Sequence, residues 1–227
     1  MKNKKYIFFD LGGTLINLNK SHSEILDMYL SEQNIYLSEE SIIKSINAAN
    51  TGVYDEVKTK STFALYLSQA VNFIKQSQIN SNNLTKVIEV LSKTNSYIRD
   101  DCNWELEPYA IELLNYLNEK YNLAIISNWD FSFHNMIKRF KFNDYMQFCI
   151  CSDDIGYSKP DSRIFEVALA RAGLSKNHDS VYVGDNYELD VLASKECGFK
   201  PYLYSKQKHN KYDCKVINNL AELMQLI

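Results

Sequence analysis

The chain has 227 residues, of which 25 are basic and 28 acidic, giving a formal net charge of −3 at pH 7. Hydrophobic residues make up 45% of the sequence and aromatic residues 13%, a globular profile that excludes a disordered, collagen-like or disulfide-rich chain. Because the charge is close to neutral, no global basic field attracts nucleic acid or an anionic membrane surface, and we expect neither as a partner.

The N-terminal segment predicts a first β-strand. A basic start is followed by only four apolar residues, Tyr6 to Phe9, before Asp10 interrupts the run. This run is too short for a signal peptide or a membrane span. The cysteines form no Cys-x-x-Cys pair, so we expect free thiols and a cytoplasmic location. They are Cys102, Cys149, Cys151, Cys197 and Cys214.

Residues 18–103 predict a helical insertion. All three prolines and six of the seven glycines lie outside this stretch, and Gly52 is the exception. Apolar residues recur at helical spacing within it, as at Ile25, Met28 and Tyr29. With so few chain breakers, we expect three to five helices here.

The rest of the chain alternates between short apolar runs and amphipathic segments. Pro108 suits an early position in one helix, and Asp130 can cap the next. A third helix would begin after Asp161 and end at Gly173. The runs, which we interpret as strands covered on both faces, are 6–9, 123–126, 148–151, 181–183 and 202–204. The pattern predicts an α/β fold, a doubly wound parallel sheet at 1–17 and 104–227 with the insertion at 18–103.

The loops after four predicted strands carry Asp10, Ser127, Lys159 and Asp185. Each residue alone has an ordinary explanation, since acids and serines are common in turns and lysines on surfaces. The carboxyl ends of parallel strands meet at one edge, however, so the four side chains would share a cavity. Two carboxylates brought together there repel unless a cation compensates, and oxygen ligands favour Mg²⁺.

Taken together, these loops resemble those of the haloacid dehalogenase-like (HAD) hydrolase superfamily. That family carries an Asp-x-Asp-x-Thr loop, a Ser or Thr, a Lys, and a Gly-Asp-x-x-x-x-Asp stretch on a Rossmann-like core. The resemblance covers residues 5–16 and about 105–205, and the insertion is similar to the small helical-bundle cap of subfamily I. The matching stretches are DLGGTL at 10–15, ISN at 126–128, SKPD at 158–161 and VGDNYELD at 183–190.

The resemblance implies a Mg²⁺-dependent phosphatase that acts on a small phosphorylated metabolite through an aspartyl-phosphate intermediate. Asp10 would be the nucleophile, and Thr14 would brace its loop. Ser127, Asn128 and Lys159 would bind the phosphoryl group and offset the charge that develops during transfer.

The same resemblance implies a set of metal ligands. Asp10, the backbone carbonyl of Gly12 and Asp185 would hold Mg²⁺. Asn186 would contact the metal-binding residues without binding the metal itself. Asp190 would orient Lys159 or metal-bound water and would not bind the metal directly.

Position 12 departs from the family pattern, because phosphatases of this family usually place a second Asp there as the general acid and base. Gly12 keeps the carbonyl and lacks the acid. General acid–base help contributes roughly 10²–10⁴-fold. We therefore expect acyl and aryl phosphates to be cleaved far better than alkyl phosphates, unless another acid such as Asp130 enters.

Two alternatives remain open. Haloacid dehalogenases also lack the second Asp and use the first at carbon without metal, although they do not keep an acid equivalent to Asp185. A catalytically impaired domain that binds a phosphorylated ligand would also tolerate Gly12. We expect a monomer or weak dimer. Trp129 could line the pocket or pack beneath the following helix.

Overall fold

A computed structural model describes residues 5–50, 62–175, 179–207 and 212–227. The chain divides into two compact units, each described here by itself. Met1–Leu18 and Trp104–Ile227 form one, the core unit, and Asn19–Asn103 forms the other, the inserted unit. The first division falls after Leu18, one residue later than the sequence indicated, because Leu18 pairs with Trp104 across a small sheet of the core unit.

Six parallel strands form the main sheet of the core unit, and two short strands form a second, antiparallel sheet. The strands are β1 Tyr6–Phe9, β2 Ile16–Leu18, β3 Trp104–Leu106, β4 Asn122–Ser127, β5 Met146–Cys151, β6 Val181–Gly184, β7 Lys200–Tyr204 and β8 Lys215–Ile217. The order in the main sheet is β5-β4-β1-β6-β7-β8. This is the doubly wound α/β fold that the sequence predicts.

The regular secondary structure of the inserted unit is helical over its described residues. Its helices are α1 His22–Glu32, α2 Glu39–Asn50, α3 Thr62–Ser77 and α4 Leu84–Arg99. Ser21 and Glu24 form a reciprocal capping box at the start of α1, which satisfies backbone donors that the helix leaves unpaired. Leu26, Phe73 and Val87 come from three of these helices and share one apolar cluster. The expected helical content of residues 51–61 lies outside the described residues.

Short helices lie between the strands of the core unit and, in one case, after its last strand. They are α5 Ala110–Asn118, α6 Phe133–Arg139, α7 Ser152–Ile155, α8 Ser162–Ala172, α9 Ala193–Glu196 and α10 Leu223–Leu226, with a π-helix at Tyr187–Leu192. Asp161 caps α8 and Gly173 ends it in the left-handed conformation, as the sequence predicts. Within the described part of the chain, no helix combines the length and apolar character needed to cross a membrane.

Strand β1 lies at the centre of the main sheet, between β4 and β6. Phe8 is fully buried and packs edge-on against Phe199, with ring centroids 5.2 Å apart. Burying a side chain of this size contributes about 1.5–3 kcal/mol, which explains why the run is apolar without alternation. The Asp10 N–H donates to the Val183 carbonyl at 2.8 Å, so the chain leaves β1 alongside the end of β6.

Two expected helix starts differ from the structure. Pro108 precedes α5 without entering it, because Tyr109 takes a left-handed conformation (φ 66°) and the Ala110 N–H closes a turn onto the Glu107 carbonyl. Asp130 does not cap α6. Its carboxylate accepts from the N–H and hydroxyl of Ser132 and so fixes the turn before the helix.

Candidate active site

Lys159 stands between two buried carboxylates. Its ammonium nitrogen lies 2.7 Å from Asp10 Oδ1 and 2.6 Å from Asp190 Oδ1. Asp10 follows β1, whereas Asp190 belongs to the π-helix that follows β6. The two neighbouring strands thus deliver acids to one lysine, and the three charges are buried together at the carboxyl edge of the sheet.

The charges in this cluster shift one another's protonation. Burial alone would lower the pKa of Lys159, but the Asp10 and Asp190 carboxylates outweigh it and raise that pKa well above its usual value. Burial raises the pKa of Asp190, against the opposing effect of Lys159. The lysine is therefore a fixed cation at every ordinary pH.

Asp185 completes a group of three acids. Carboxylate oxygens of Asp10, Asp185 and Asp190 all lie within 4.8 Å of one another. Desolvation, with Asp10 and Asp190 adding repulsion, raises the pKa of Asp185 to about 8. Asp185 still reaches solvent, so water screens part of this repulsion. Because the ionised form of Asp185 is destabilised in this way, a nearby cation would stabilise it more than it would an acid with an ordinary pKa.

Gly13 makes the close approach of Asp185 possible. Its φ is +80°, which favours glycine, and a Cβ there would lie 2.4 Å from Asp185 Oδ2. Any side chain at this position would push the carboxylate away. The close approach of Asp185 thus explains why a glycine occupies position 13.

Asn128 holds the loop of Lys159. Its side-chain Nδ2 donates to the Lys159 carbonyl at 2.8 Å, and its Oδ1 accepts from the Lys159 N–H at 2.7 Å. Both ends of this amide therefore fix the backbone of the lysine. Ser127, which precedes Asn128 at the end of β4, is buried.

The remaining expected residues lie around the same edge. Asn186 Oδ1 accepts from the N–H groups of Glu188 and Leu189 and caps the π-helix, while its own N–H donates to Asp190 Oδ2 at 2.9 Å. Asn186 thereby fixes the acid that contacts Lys159. The Thr14 side chain is fully buried, and its hydroxyl has no hydrogen-bond partner among the described residues.

Gly12 lies against two tryptophans. A Cβ on Gly12 would be 2.8 Å from Cζ3 of Trp129 and 3.5 Å from the Trp104 ring. The carboxylate of Asp130, which we considered as an alternative general acid, already accepts hydrogen bonds from Ser132. Aromatic surface thus occupies the space that a side chain at position 12 would need.

Tyr182 is a further residue of this site that the sequence did not predict. Its buried hydroxyl donates to the Ile126 carbonyl at 3.0 Å and lies 3.2 Å from both Lys159 Nζ and Asp190 Oδ1. In the sequence, Tyr182 belongs to the apolar run 181–183 that predicts a strand. A tyrosine in a strand buried on both faces needs a partner for its hydroxyl, and that requirement was the available signal.

The donors at this edge fit a hard divalent cation. Three carboxylates and one ammonium leave a formal charge of −2 when all are ionised. Asp10 Oδ1, although paired with Lys159, accepts no well-directed hydrogen bond from the described residues. Clustered oxygen ligands with excess negative charge suit Mg²⁺ better than a soft metal.

Comparison with known sequences gives the family. A profile described as "Haloacid dehalogenase-like hydrolase" matches residues 7–203. The Rhythmically expressed gene 2 protein of Drosophila melanogaster is 30% identical over 122 residues, covering 48% of this chain and 47% of that protein. A glyceraldehyde 3-phosphate phosphatase of Methanothermobacter thermautotrophicus is 27% identical over 130 residues, covering 51% and 55% respectively.

A third relative, the pyrimidine 5'-nucleotidase YjjG of Escherichia coli, is 30% identical over 92 residues, covering 40% of this chain and 41% of that protein. The chain thus spans between about two-fifths and just over half the length of these three curated relatives.

Solved structures share the fold over nearly the whole chain. The putative HAD-hydrolase YfnB from Bacillus subtilis, bound to magnesium, aligns with a TM-score of 0.69 at 16% identity and covers 99% of both chains. A predicted phosphoglycolate phosphatase from Haemophilus somnus has a TM-score of 0.69 at 18% identity, covering 100% of this chain and 99% of that one. The family profile, together with this shared fold, shows that the chain belongs to the haloacid dehalogenase-like hydrolase family.

Proposed function

We propose that this hydrolase is a Mg²⁺-dependent phosphatase that transfers a phosphoryl group from a small metabolite to Asp10 and then to water. The observation that supports this most strongly is the grouping of Asp10, Asp185 and Asp190 with Lys159 at one sheet edge. A binding domain with no chemistry would have no need for a nucleophile at the centre of such a group.

In this proposal the chain's own residues position the phosphoryl group. Lys159 and the Ser127 hydroxyl donate to its oxygens, and Asp190 keeps the ammonium directed towards Asp10. Asn128 fixes the backbone beneath Lys159 and so acts mainly as a positioning residue. The buried Thr14 braces the loop by packing.

The reaction has two steps. An Asp10 carboxylate oxygen forms a bond to phosphorus while the bond to the leaving oxygen breaks, and that oxygen takes a proton from solvent. Water then attacks the phosphorus of the acyl phosphate, releasing inorganic phosphate and restoring Asp10. Asp10, Asp185 and the Gly12 carbonyl would hold Mg²⁺, which when bound neutralises charge on the phosphoryl oxygens.

The substrate class rests on relatives whose names describe phosphatases of small molecules, a glyceraldehyde 3-phosphate phosphatase and a pyrimidine 5'-nucleotidase. We extend this class, a small phosphorylated metabolite, to the present chain. The inserted unit, Asn19–Asn103, would serve as the cap that selects the substrate. We also propose a monomer or weak dimer. We place it in the cytoplasm, a reducing compartment that the five free cysteines support.

Hydrolysis of acetyl phosphate, measured with Mg²⁺ and with EDTA, tests the proposal. Asp10→Asn should lower the rate at least roughly a thousandfold, because it removes the nucleophile. Asp213→Asn is the matched control, since Asp213 is exposed and pairs only with Lys195 among its salt bridges to described residues. Equal rates in the two variants would overturn the assignment of Asp10.

A dehalogenase reaction is the second candidate, and Gly12 favours it because that chemistry requires no acid at this position. Asp185 opposes it, since a carboxylate beside Asp10 would repel a haloacid substrate. Halide release from 2-chloropropionate in EDTA, without phosphate release from any phosphate ester, would establish this alternative. Neither activity, together with a failure of beryllium fluoride and Mg²⁺ to form an acyl-phosphate-like complex at Asp10, would instead indicate a domain that only binds a phosphorylated ligand.

A further inference from the structure

Two aromatic rings occupy the space beside the loop of the proposed nucleophile. A Cβ at Gly12 would lie 2.8 Å from Trp129 and 3.5 Å from Trp104, and Gly12 is only two residues after Asp10. The ring centroids of Trp104 and Trp129 are 4.8 Å apart with a 52° tilt, so the two rings pack against each other. We refer to Trp104 and Trp129 as the tryptophan pair.

The pair is held rigidly by the core unit. The Trp129 N–H donates to Ser152 Oγ at 3.1 Å, and the Ser152 hydroxyl donates to the Trp129 carbonyl at 3.0 Å. The Trp129 indole N–H donates to Ser132 Oγ at 2.9 Å. Trp104 begins β3, pairs with Leu18 and is only 8% exposed. A surface fixed in this way loses little conformational entropy when a ligand packs on it.

The chemistry of this surface differs from that of an acid. The Trp129 indole N–H already donates to Ser132, so the ring atom that lies beside Gly12 is a carbon, Cζ3. Trp129 remains partly exposed. Such a surface attracts a flat ring and supplies no proton to a leaving oxygen.

We propose that the tryptophan pair is the leaving-group site and selects phosphate esters whose leaving group is a flat aromatic ring. This inference rests on the proposed phosphatase function. An aryloxide delocalises its charge into the ring and departs without a general acid, whereas an alkoxide does not. The same two rings that exclude an acid from position 12 thus bind the leaving groups that need none.

Fluorescence tests the contact directly, because Trp104 and Trp129 are the only two tryptophans in the chain. We would titrate the wild-type protein, with Mg²⁺ present, with phenylphosphonate and with methylphosphonate, which cannot be hydrolysed. The aryl compound should change the emission and bind about tenfold more tightly than the methyl compound. Equal affinities and signals, or no response to phenylphosphonate at concentrations where phenyl phosphate is hydrolysed, would overturn the proposal.

A kinetic ratio supplies a second readout. The ratio of kcat/KM for phenyl phosphate to that for acetyl phosphate should fall about tenfold in Trp129→Leu, which keeps an apolar side chain and removes the ring. Phe131→Leu is the matched control, since Phe131 is a 71% exposed aromatic residue two positions further on, and its ratio should not change. An unchanged ratio in Trp129→Leu would refute the leaving-group site and leave the phosphatase function intact. Failure of the function itself would appear separately, as acetyl phosphate hydrolysis that survives in Asp10→Asn.

Discussion

The Lys159 ammonium lies 2.6 Å from the Asp190 carboxylate, and both side chains are buried. Asp10 lies on the same ammonium at 2.7 Å. Lys159 therefore neutralises part of the negative charge of the clustered carboxylates. Gly12 and Gly13, in the loop after Asp10, are both crowded by neighbouring side chains.

Removing the Lys159 charge should destabilise the fold. Lys159→Met leaves two buried carboxylates without their cation, and breaking a buried ion pair in this way costs roughly 3–5 kcal/mol. The free energy of unfolding in urea, measured without Mg²⁺, gives the change. Lys195→Met is the control, because its ion pair with Asp213 is exposed and should contribute little. Similar losses of unfolding free energy in both variants would show that the buried ion pair contributes no more than the exposed one.

Mg²⁺ should stabilise the protein more as the pH rises. Folding raises the pKa of Asp185 from its ordinary 3.8 to about 8, so it favours the protonated acid. The metal-free protein therefore loses stability as the pH rises from about 4 through about 8, where folding opposes ionisation. If Mg²⁺ binds the ionised form, the increase in Tm on adding Mg²⁺ should be larger at pH 8.5 than at pH 6.

Asp185→Asn provides the control for that experiment. Without Mg²⁺ the variant should be at least as stable as wild type at pH 8.5, because it lacks the repelled charge. It should also show little response to Mg²⁺. A Mg²⁺ response in Asp185→Asn as large as that of the wild type would exclude Asp185 as a ligand.

Gly13→Ala should weaken metal binding as well as the fold. Gly13 and Gly156 both have positive φ, +80° and +73°, but an added Cβ would meet Asp185 at Gly13 and no described atom within 4 Å at Gly156. Gly156→Ala should therefore show only the conformational cost, about 1–2 kcal/mol. Gly13→Ala should cost more and should also reduce the Mg²⁺-dependent rise in Tm. Identical behaviour of the two variants would mean that the Asp185 contact is unimportant.

Gly12→Ala should interact energetically with Trp129. The added Cβ falls 2.8 Å from the ring, and such overpacking costs about 1–3 kcal/mol. In Gly12→Ala/Trp129→Leu the loss should be smaller than the sum of the single losses by at least about 0.5 kcal/mol. Urea unfolding of all four proteins completes this cycle. Additive losses would show that the ring does not restrict position 12.

The same contact changes the expected outcome of restoring an acid. From the sequence, Gly12→Asp is the natural way to recover cleavage of alkyl phosphates. In the structure that side chain would have to displace Trp129. We therefore expect Gly12→Asp alone to lose activity on alkyl and aryl phosphates alike, as measured by phosphate release.

Much of the fold followed from the sequence because the main strands are continuous apolar runs and Asp10 and Asp185 directly follow two of them. Strands β2, β3 and β8 escaped prediction, since three residues are too few to establish an alternating pattern. The position of Trp104 beside Gly12 could not be predicted for the same reason. That position depends on the pairing of residues 16–18 with residues 104–106, and these two segments are far apart in the chain.

The measurement that tests the central claim most directly is the location of the phosphoryl group during turnover. Acetyl phosphate hydrolysis with Mg²⁺ would be quenched in acid, and the phosphorylated peptide identified by mass spectrometry. We predict an acid-stable, hydroxylamine-sensitive acyl phosphate on Asp10 that is absent from Asp10→Asn and from protein treated with EDTA. A phosphoryl group on another residue, or turnover that persists in Asp10→Asn, would contradict the account.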